Sequence, residues 1–156
     1  MGRFKRQLSR LRHRRGHGVH SPYIYNIVRE VFMDRNDHPI STPLYDTLIA
    51  LGVKGRHSRE IENLRHHCGL STFGVDAVQG GDMVICSSTA HVDLVEEIVK
   101  DAMHSGTTVV ILSPHAPHLR EEMCERIIAR HTSTTVNRRG YLIVFNNHLP
   151  KQHFIL

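Results

Sequence analysis

Apolar residues recur at helical spacing along the first part of the chain. Three of them, four and three positions apart, form a narrow stripe on an otherwise cationic segment, which predicts a basic helix that Gly16 and Gly18 end: Phe4, Leu8 and Leu11. Ser21-Pro22 has the form of an N-cap followed by proline at the first helical position, and predicts a helix to about Met33. Its inward residues are expected to be Ile24, Ile27, Val28 and Val31.

Two more helices are predicted before residue 70, after a loop over residues 34–40. Thr42-Pro43 repeats the N-cap signal, and the short helix that follows runs through Ala50 and ends at Gly52. Ser58 is predicted to cap a further helix that closes near Gly69. The inward residues of that helix are expected to be Ile61 and Leu64.

From residue 70 onward the pattern changes to short apolar runs separated by amphipathic helices. Strands are predicted within TFGVDAV (72–78), DMVICSS (82–88) and TTVVILS (107–113). One helix is predicted between the second and third strands, over 91–106, and another after the third strand, over 118–130. The expected inward residues of these helices are Val92, Val95, Ile98, Val99 and Ala102, then Leu119, Met123, Ile127 and Ile128.

The C-terminal pattern completes a recognisable order of elements. Residues 132–147 predict two antiparallel strands around a turn at Asn137–Gly140. From Asp82 the order is then strand, helix, strand, helix and hairpin, which is typical of the back half of a doubly wound α/β sheet. We expect one compact unit with a basic helical extension over 1–69 and a partial α/β domain over 70–156.

Charge is distributed unevenly along the 156 residues. The net charge is +5, yet residues 1–15 hold seven of the 20 arginines and lysines and no acid, which leaves 13 cations against 15 acids elsewhere. Such an arm can bind nucleic acid or anionic lipid through residues 3–15, or can simply be a solvated helix. No segment has the length and apolarity of a membrane span or a signal peptide, so a cytoplasmic protein is expected.

Candidate chemistry based on cysteine, histidine or serine is weak. The three cysteines are far apart and are expected to be free thiols. The histidine pairs lack the third and fourth ligand of a metal site, and we expect no metal: His17 and His20, His66 and His67, His115 and His118. Ser87-Ser88 could offer hydroxyls to a ligand at a strand end, whereas Ser88 or Thr89 could instead cap the next helix.

The stretch RRGHGVHSPYIYNIV, from Arg14 to Val28, places cationic and imidazole side chains directly before a helix start. Two interpretations remain open. The histidines could bond to backbone and fix a tight reversal at the glycines, or the stretch could bind an anion at the helix N-terminus. The residues of this anion-binding hypothesis are Arg14, Arg15, His17, His20 and Ser21.

Two end motifs carry a resemblance to a known family. RHRRGHGVHSPYIYNIVREVF (12–32) resembles the N-terminus of a group of bacterial S-adenosylmethionine-dependent methyltransferases, and RRGYLIVFNNHLPKQHFIL (138–156) is similar to their closing hairpin. The resemblance implies a Rossmann-like sheet that holds S-adenosylmethionine with a glycine-rich turn after its first strand and an acidic residue after its second. The fold class expected here is therefore α/β, a truncated Rossmann-like sheet with a helical N-terminal extension and a C-terminal antiparallel hairpin.

The chain departs from that family where the cofactor is bound. No strand leads through a GxGxG turn into a helix; the nearest glycine clusters are ALGVKG (50–55) and VQGG (78–81), and the second precedes a strand. At the next strand ends His91 matches a family histidine, but the family's carboxylates are replaced by the segments Ser87–Ala90 and Ser113-Pro114. Catalytic residues are therefore not assigned, and cofactor-binding residues stay unassigned.

The expected function is that of a methyltransferase-like protein that does not transfer methyl groups as a lone chain, because its cofactor-binding front half is missing. Its retained role would be binding or assembly, as a homodimer that covers the truncated sheet edge. A larger methyltransferase paralogue could instead supply the missing strands and complete an active enzyme. A different class of function is a protein that binds nucleic acid or an anionic surface through its basic arm.

Overall fold

The computed structural model describes residues 22–33, 41–146 and 149–156. The chain divides into two compact units, Met1–Ser71 and Thr72–Leu156. The expected basic helix, the glycine break, the Ser21 cap and the predicted loop over 34–40 lie outside the described residues.

The described part of the first unit is helical. Helix α1 covers Pro22–Ile27 and continues as a π-helical turn over Val28–Phe32, helix α2 covers Pro43–Ala50, and helix α3 covers Gly55–His67. The hydroxyl of Thr42 accepts the N–H of Tyr45 at 3.2 Å, which confirms the predicted N-cap. The predicted inward residues are all buried: Ile24, Ile27, Val28, Val31, Ile61 and Leu64.

Ser58 does not cap α3, contrary to the sequence prediction. The extended backbone of Lys54 ends the preceding segment, and its carbonyl already accepts the Ser58 N–H at 2.9 Å, so the helix begins at Gly55. Ser58 is buried in the first turn, where its hydroxyl donates to the carbonyl of Val53 at 3.4 Å. A serine one turn into a helix has the same local sequence as a cap, and packing decides between them.

The second unit contains one mixed six-stranded sheet. The strands are β1 Phe73–Val75, β2 Met83–Cys86, β3 Thr108–Leu112, β4 Thr135–Asn137, β5 Tyr141–Val144 and β6 His153–Ile155, in the spatial order β1-β2-β3-β5-β4-β6. Strands β1 to β3 are parallel, β5 is antiparallel to both β3 and β4, and β6 runs parallel to β4. The predicted α/β class with a C-terminal hairpin is confirmed, and the architecture is compatible with a truncated Rossmann-like fold.

Helices α4 (Val92–Ser105) and α5 (His118–Arg130) pack on one face of this sheet. They contact alternate residues of the strands, as the pleat requires: Val84, Cys86, Val109, Ile111, Leu142 and Val144. Helix α4 ends as predicted, because Gly106 adopts a left-handed conformation with φ of 76° and its N–H donates to the carbonyl of Ala102.

Leu119 does not face the core, contrary to the prediction for α5. Its side chain is 68% exposed, whereas the predicted Met123 and Ile127 are buried, together with Arg120 and Cys124, which the prediction did not include. In the first turn of α5, the buried side chain is that of the charged Arg120 and not that of its apolar neighbour Leu119. The reason lies at the ends of the parallel strands, where this arginine has its partners.

Candidate functional site: the carboxyl ends of the parallel strands

The carboxyl ends of β1, β2 and β3 meet at one edge of the sheet, which is where open α/β folds bind ligands. Asp76 directly follows β1, Ser87 follows β2, and Ser113 follows β3. Ser87 is buried, Asp76 is partly buried and Ser113 is exposed. This edge is therefore the candidate functional site of the second unit.

Asp76 and Ser87 are joined by two short hydrogen bonds. One carboxylate oxygen of Asp76 accepts the backbone N–H of Ser87 at 2.7 Å, and the other accepts its hydroxyl at 2.6 Å. The Ser87 hydroxyl also lies 3.2 Å from that of Thr89. Both carboxylate oxygens are thus occupied by the chain itself, at distances typical of charge-assisted hydrogen bonds.

The backbone of Asp76 is held in an uncommon conformation. Its φ is 49°, in the left-handed region that aspartate and asparagine tolerate better than most residues, and its N–H donates to the carbonyl of Ile85 at 2.9 Å. Backbone and side chain of Asp76 therefore both bond to the end of β2.

The connection from β1 to β2 is unusually short for parallel strands. Such a connection normally takes a dozen or more residues, often with a helix, whereas here residues 76–82 return directly across β1. A Cβ atom on Gly74 would lie 2.5 Å from the carbonyl oxygen of Gly80, so the strand has no room for a side chain where the returning loop crosses it. Gly81, with φ of 113°, then redirects the chain into β2.

Arg120 fills the space between the ends of β2 and β3. Its side chain is 2% exposed, and its guanidinium donates to three backbone carbonyls, those of Leu112 at 3.0 Å, Ala90 at 3.0 Å and Ser87 at 2.6 Å. The planar fork of the guanidinium suits three acceptors that converge from different segments. A ligand at this position would have to displace it.

The electrostatic influence of Asp76 and Arg120 reaches the thiol of Cys86, at the end of β2. The pKa of Cys86 is raised to about 12, mainly by burial and to a smaller extent by the charge of Asp76, while the charge of Arg120 acts to lower it. Burial likewise raises the pKa of Cys124, on α5, to about 12. Both thiols are protonated at neutral pH and are poor nucleophiles.

His91 is the N-cap of α4, which corrects the expectation that Ser88 or Thr89 caps this helix. The Nδ1 atom of His91 accepts the N–H of Asp93 at 3.3 Å. The serine and threonine are not at the cap position, because the hydroxyls of Ser87 and Thr89 lie within hydrogen-bond distance of each other and Ser88 lies four residues before the first helical residue. His91 therefore holds a structural position at the strand edge.

The remaining candidates from the sequence do not add residues to this site within the described part of the chain. The anion-binding residues Arg14, Arg15, His17, His20 and Ser21 lie outside the described residues. Within the described ranges, no three histidine, cysteine, aspartate or glutamate side chains are grouped to hold a metal ion. In the cluster ALGVKG, Gly52 ends α2 with φ of 82° and Gly55 begins α3, so both have local roles.

Asp76 and Arg120 are the residues that sequence reasoning missed. The sequence could have indicated Asp76, since an acidic residue directly after an apolar strand lies at the carboxyl end of that strand, where parallel sheets bind ligands. It could also have indicated Arg120, because a stripe through positions 120, 123, 124 and 127 has better helical spacing than one that starts at Leu119.

No family model, curated protein or solved structure matches the chain. In the part of the chain that the structure describes, no helix has both the length and the apolarity needed to cross a membrane.

Proposed function

We propose that the chain is an S-adenosylmethionine-dependent methyltransferase-like protein that has lost its cofactor-binding front half and works through binding or assembly. The observation that carries the proposal is the connection between β1 and β2. Where the resembling family places a glycine-rich turn and further strands, this chain returns directly to the next strand within residues 76–82.

The requirements of an adenosyl group support this proposal. Such a ligand needs a glycine-rich turn that leads into a helix N-terminus, and a carboxylate that receives its sugar hydroxyls. Here the loop glycines allow the loop to cross β1, and the loop leads into a strand and not into a helix. The carboxylate of Asp76 accepts hydrogen bonds from Ser87 in place of sugar hydroxyls. Arg120 in turn fills the gap between β2 and β3.

The experiment is isothermal titration of the full chain with S-adenosylmethionine and with S-adenosylhomocysteine. We expect no saturable heat up to about 1 mM ligand, a weak-binding limit of about −4 kcal/mol. Stoichiometric binding of either ligand by the lone chain would overturn the proposal. If it occurred, Asp76→Asn would report whether that carboxylate holds the nucleoside.

A partner chain could supply what the lone chain lacks. A larger methyltransferase paralogue that contributes the missing strands would restore cofactor binding in the complex alone. Purification of the tagged full chain from its native host, followed by the same titration on any complex obtained, tests this version of the proposal. Placement in the cytoplasm belongs to the same proposal and is supported by the free thiols of Cys68, Cys86 and Cys124.

The charge of residues 1–15 favours a second candidate function, in which the basic arm binds nucleic acid or an anionic surface. Seven cations without an acid in 15 residues form a strong local field, while the remaining chain is slightly acidic. This function does not depend on the sheet, and the two candidates can therefore be tested separately.

A further inference from the structure

The outer edge of β1 presents unpaired backbone groups in a regular order. The carbonyl of Thr72 accepts the N–H of Met83 at 3.1 Å, and the N–H of Asp76 donates to Ile85 at 2.9 Å. Residues 72, 74 and 76 therefore direct their backbone groups toward β2. By the alternation of a strand, Phe73 and Val75 direct their N–H and C=O groups away from it.

These outward groups have no backbone partner among residues 22–33, 41–146 and 149–156. Apart from the shortness of β1, the edge lacks the features that usually protect one, since the segment Thr72–Asp76 contains no proline, no lysine and no bulge. The charge of Asp76 is turned toward β2, where its carboxylate bonds to Ser87. A strand edge of this kind is a template for pairing with another strand.

We propose that β1 pairs with β1 of a second copy of this chain, in antiparallel orientation across a twofold axis at Gly74. This inference rests on the assembly role proposed above and names its partner. In this register Phe73 of each copy lies opposite Val75 of the other, and each of these pairs exchanges two N–H···O hydrogen bonds. Both outward donors and both outward acceptors of each copy are then used.

The side chains and charges also suit this register. Each cross-strand pair combines an aromatic with a β-branched side chain, which is a favourable combination on one face of a sheet. At the flanks Thr72 of one copy faces Asp76 of the other, so the two Asp76 residues do not oppose each other. Gly74 meets its own counterpart on the axis, where strands approach most closely and where it adds no side chain.

The test compares Val75→Pro with Val75→Thr by analytical ultracentrifugation of the full chain. Proline removes only an outward N–H and so leaves the bonds to β2 intact, whereas threonine keeps the N–H and the β-branched shape. We expect wild type and Val75→Thr to show the same monomer–dimer equilibrium, and Val75→Pro to weaken it by about tenfold or more. A wild type that stays monomeric up to about 1 mM, or a dimer of equal strength in Val75→Pro, would overturn the inference.

A second measurement does not depend on the folding of the proline variant. Residue-resolved amide exchange of the wild type should show the amides of Phe73 and Val75 protected at high protein concentration and released on dilution. The amides of Gly74 and Asp76, which face β2, should stay protected at both concentrations. Equal exchange of the Phe73 and Val75 amides in dimer and monomer would exclude this edge as the interface.

The outcome is separable from that of the cofactor titration. A monomer that binds no S-adenosylmethionine overturns the dimer alone, and a β1-paired dimer that does bind it overturns the proposed loss of the cofactor site alone.

Discussion

The carboxylate of Asp76 holds Ser87 by both its backbone N–H and its hydroxyl, and so joins the ends of two neighbouring parallel strands. Hydrogen bonds to an ionised group are among the stronger ones in proteins, worth roughly 1.5–3 kcal/mol. This pair therefore fixes the end of β1 to the end of β2, two strands whose connection contains no helix.

Replacing Asp76 by asparagine should lower the free energy of unfolding by about 1–2 kcal/mol, because the charge is lost while the left-handed backbone is still tolerated. Asp76→Ala should cost about 1 kcal/mol more, since alanine is strained at φ of 49°. Urea denaturation of both variants, and of Ser87→Ala with the double variant Asp76→Asn/Ser87→Ala, measures the coupling. Purely additive losses would contradict a direct bond between the two side chains.

Replacing Arg120 by methionine should lower the free energy of unfolding by about 2–4 kcal/mol, because three backbone carbonyls, two of them in buried bonds, lose their donor. Arg120→Lys should recover only part of this loss, as one ammonium lacks the fork that reaches all three carbonyls. The matched control is Arg126→Met, which removes an exposed arginine from the same helix and should change stability by less than about 0.5 kcal/mol. Equal effects at both positions would refute the structural role of Arg120.

The three thiols should differ in reactivity toward a disulfide reagent at neutral pH. Cys68 is partly exposed and should react in the native protein, whereas Cys86 and Cys124 are buried and should react only after unfolding. Cys68→Ser should abolish the native reaction. Rapid native labelling of that variant would show that the core thiols are accessible.

The raised pKa values of Cys86 and Cys124, both about 12, predict a loss of stability in alkali. The unfolded thiols ionise near pH 9.0, so above that pH the unfolded chain binds fewer protons than the folded one. Stability from these two groups is present in full below pH 9 and falls as the pH rises toward 12. Denaturation midpoints of wild type and Cys86→Ala across this range should converge as the pH increases.

Deleting residues 1–15 tests the second candidate function. If the arm binds duplex nucleic acid, the full chain should show affinity that falls with salt, with a log–log slope of up to about −6 if all seven cations neutralise phosphates. The deletion should remove this binding, whereas Arg126→Gln, which removes one cation elsewhere, should leave the slope unchanged. Binding that survives the deletion would exclude the arm as the cause.

Most helices and strands of the second unit can be predicted from the local pattern of apolar and polar residues. Strand β3 is a continuous β-branched run, α4 carries an apolar stripe that Gly106 ends, and the hairpin turns at Asn137–Gly140, so sequence alone locates all three. Strand β6 (His153–Ile155) was not predicted, because three residues are too short to show a period. Strand β6 forms because it pairs with β4, a contact in the folded structure that the local sequence does not reveal.

The candidate site was less predictable, since its bonds join residues far apart in the sequence. Helix α4 and strand β3 lie between Ala90 and Arg120 in the sequence, and nothing in the local pattern of α5 reveals the carbonyls of Ser87 and Ala90 as its partners. The same is true of His91, whose imidazole caps α4 although hydroxyls stand nearby in the sequence. Sequence rules rank residue types by their preference for the N-cap position, but the folded structure determines which side chain is close enough to the free N–H groups to cap the helix.

The position of β5 between β3 and β4 has a consequence for the order of folding. Pairing of β4 with β5 closes a short loop, as in Asn137 opposite Leu142, whereas pairing of β5 with β3 encloses the whole of α5. Hairpins form within microseconds, and contacts that close long loops come later. Kinetic φ-values should thus be high for Val136→Ala and low for Val84→Ala, so that the antiparallel end of the sheet serves as the nucleus on which its parallel end condenses.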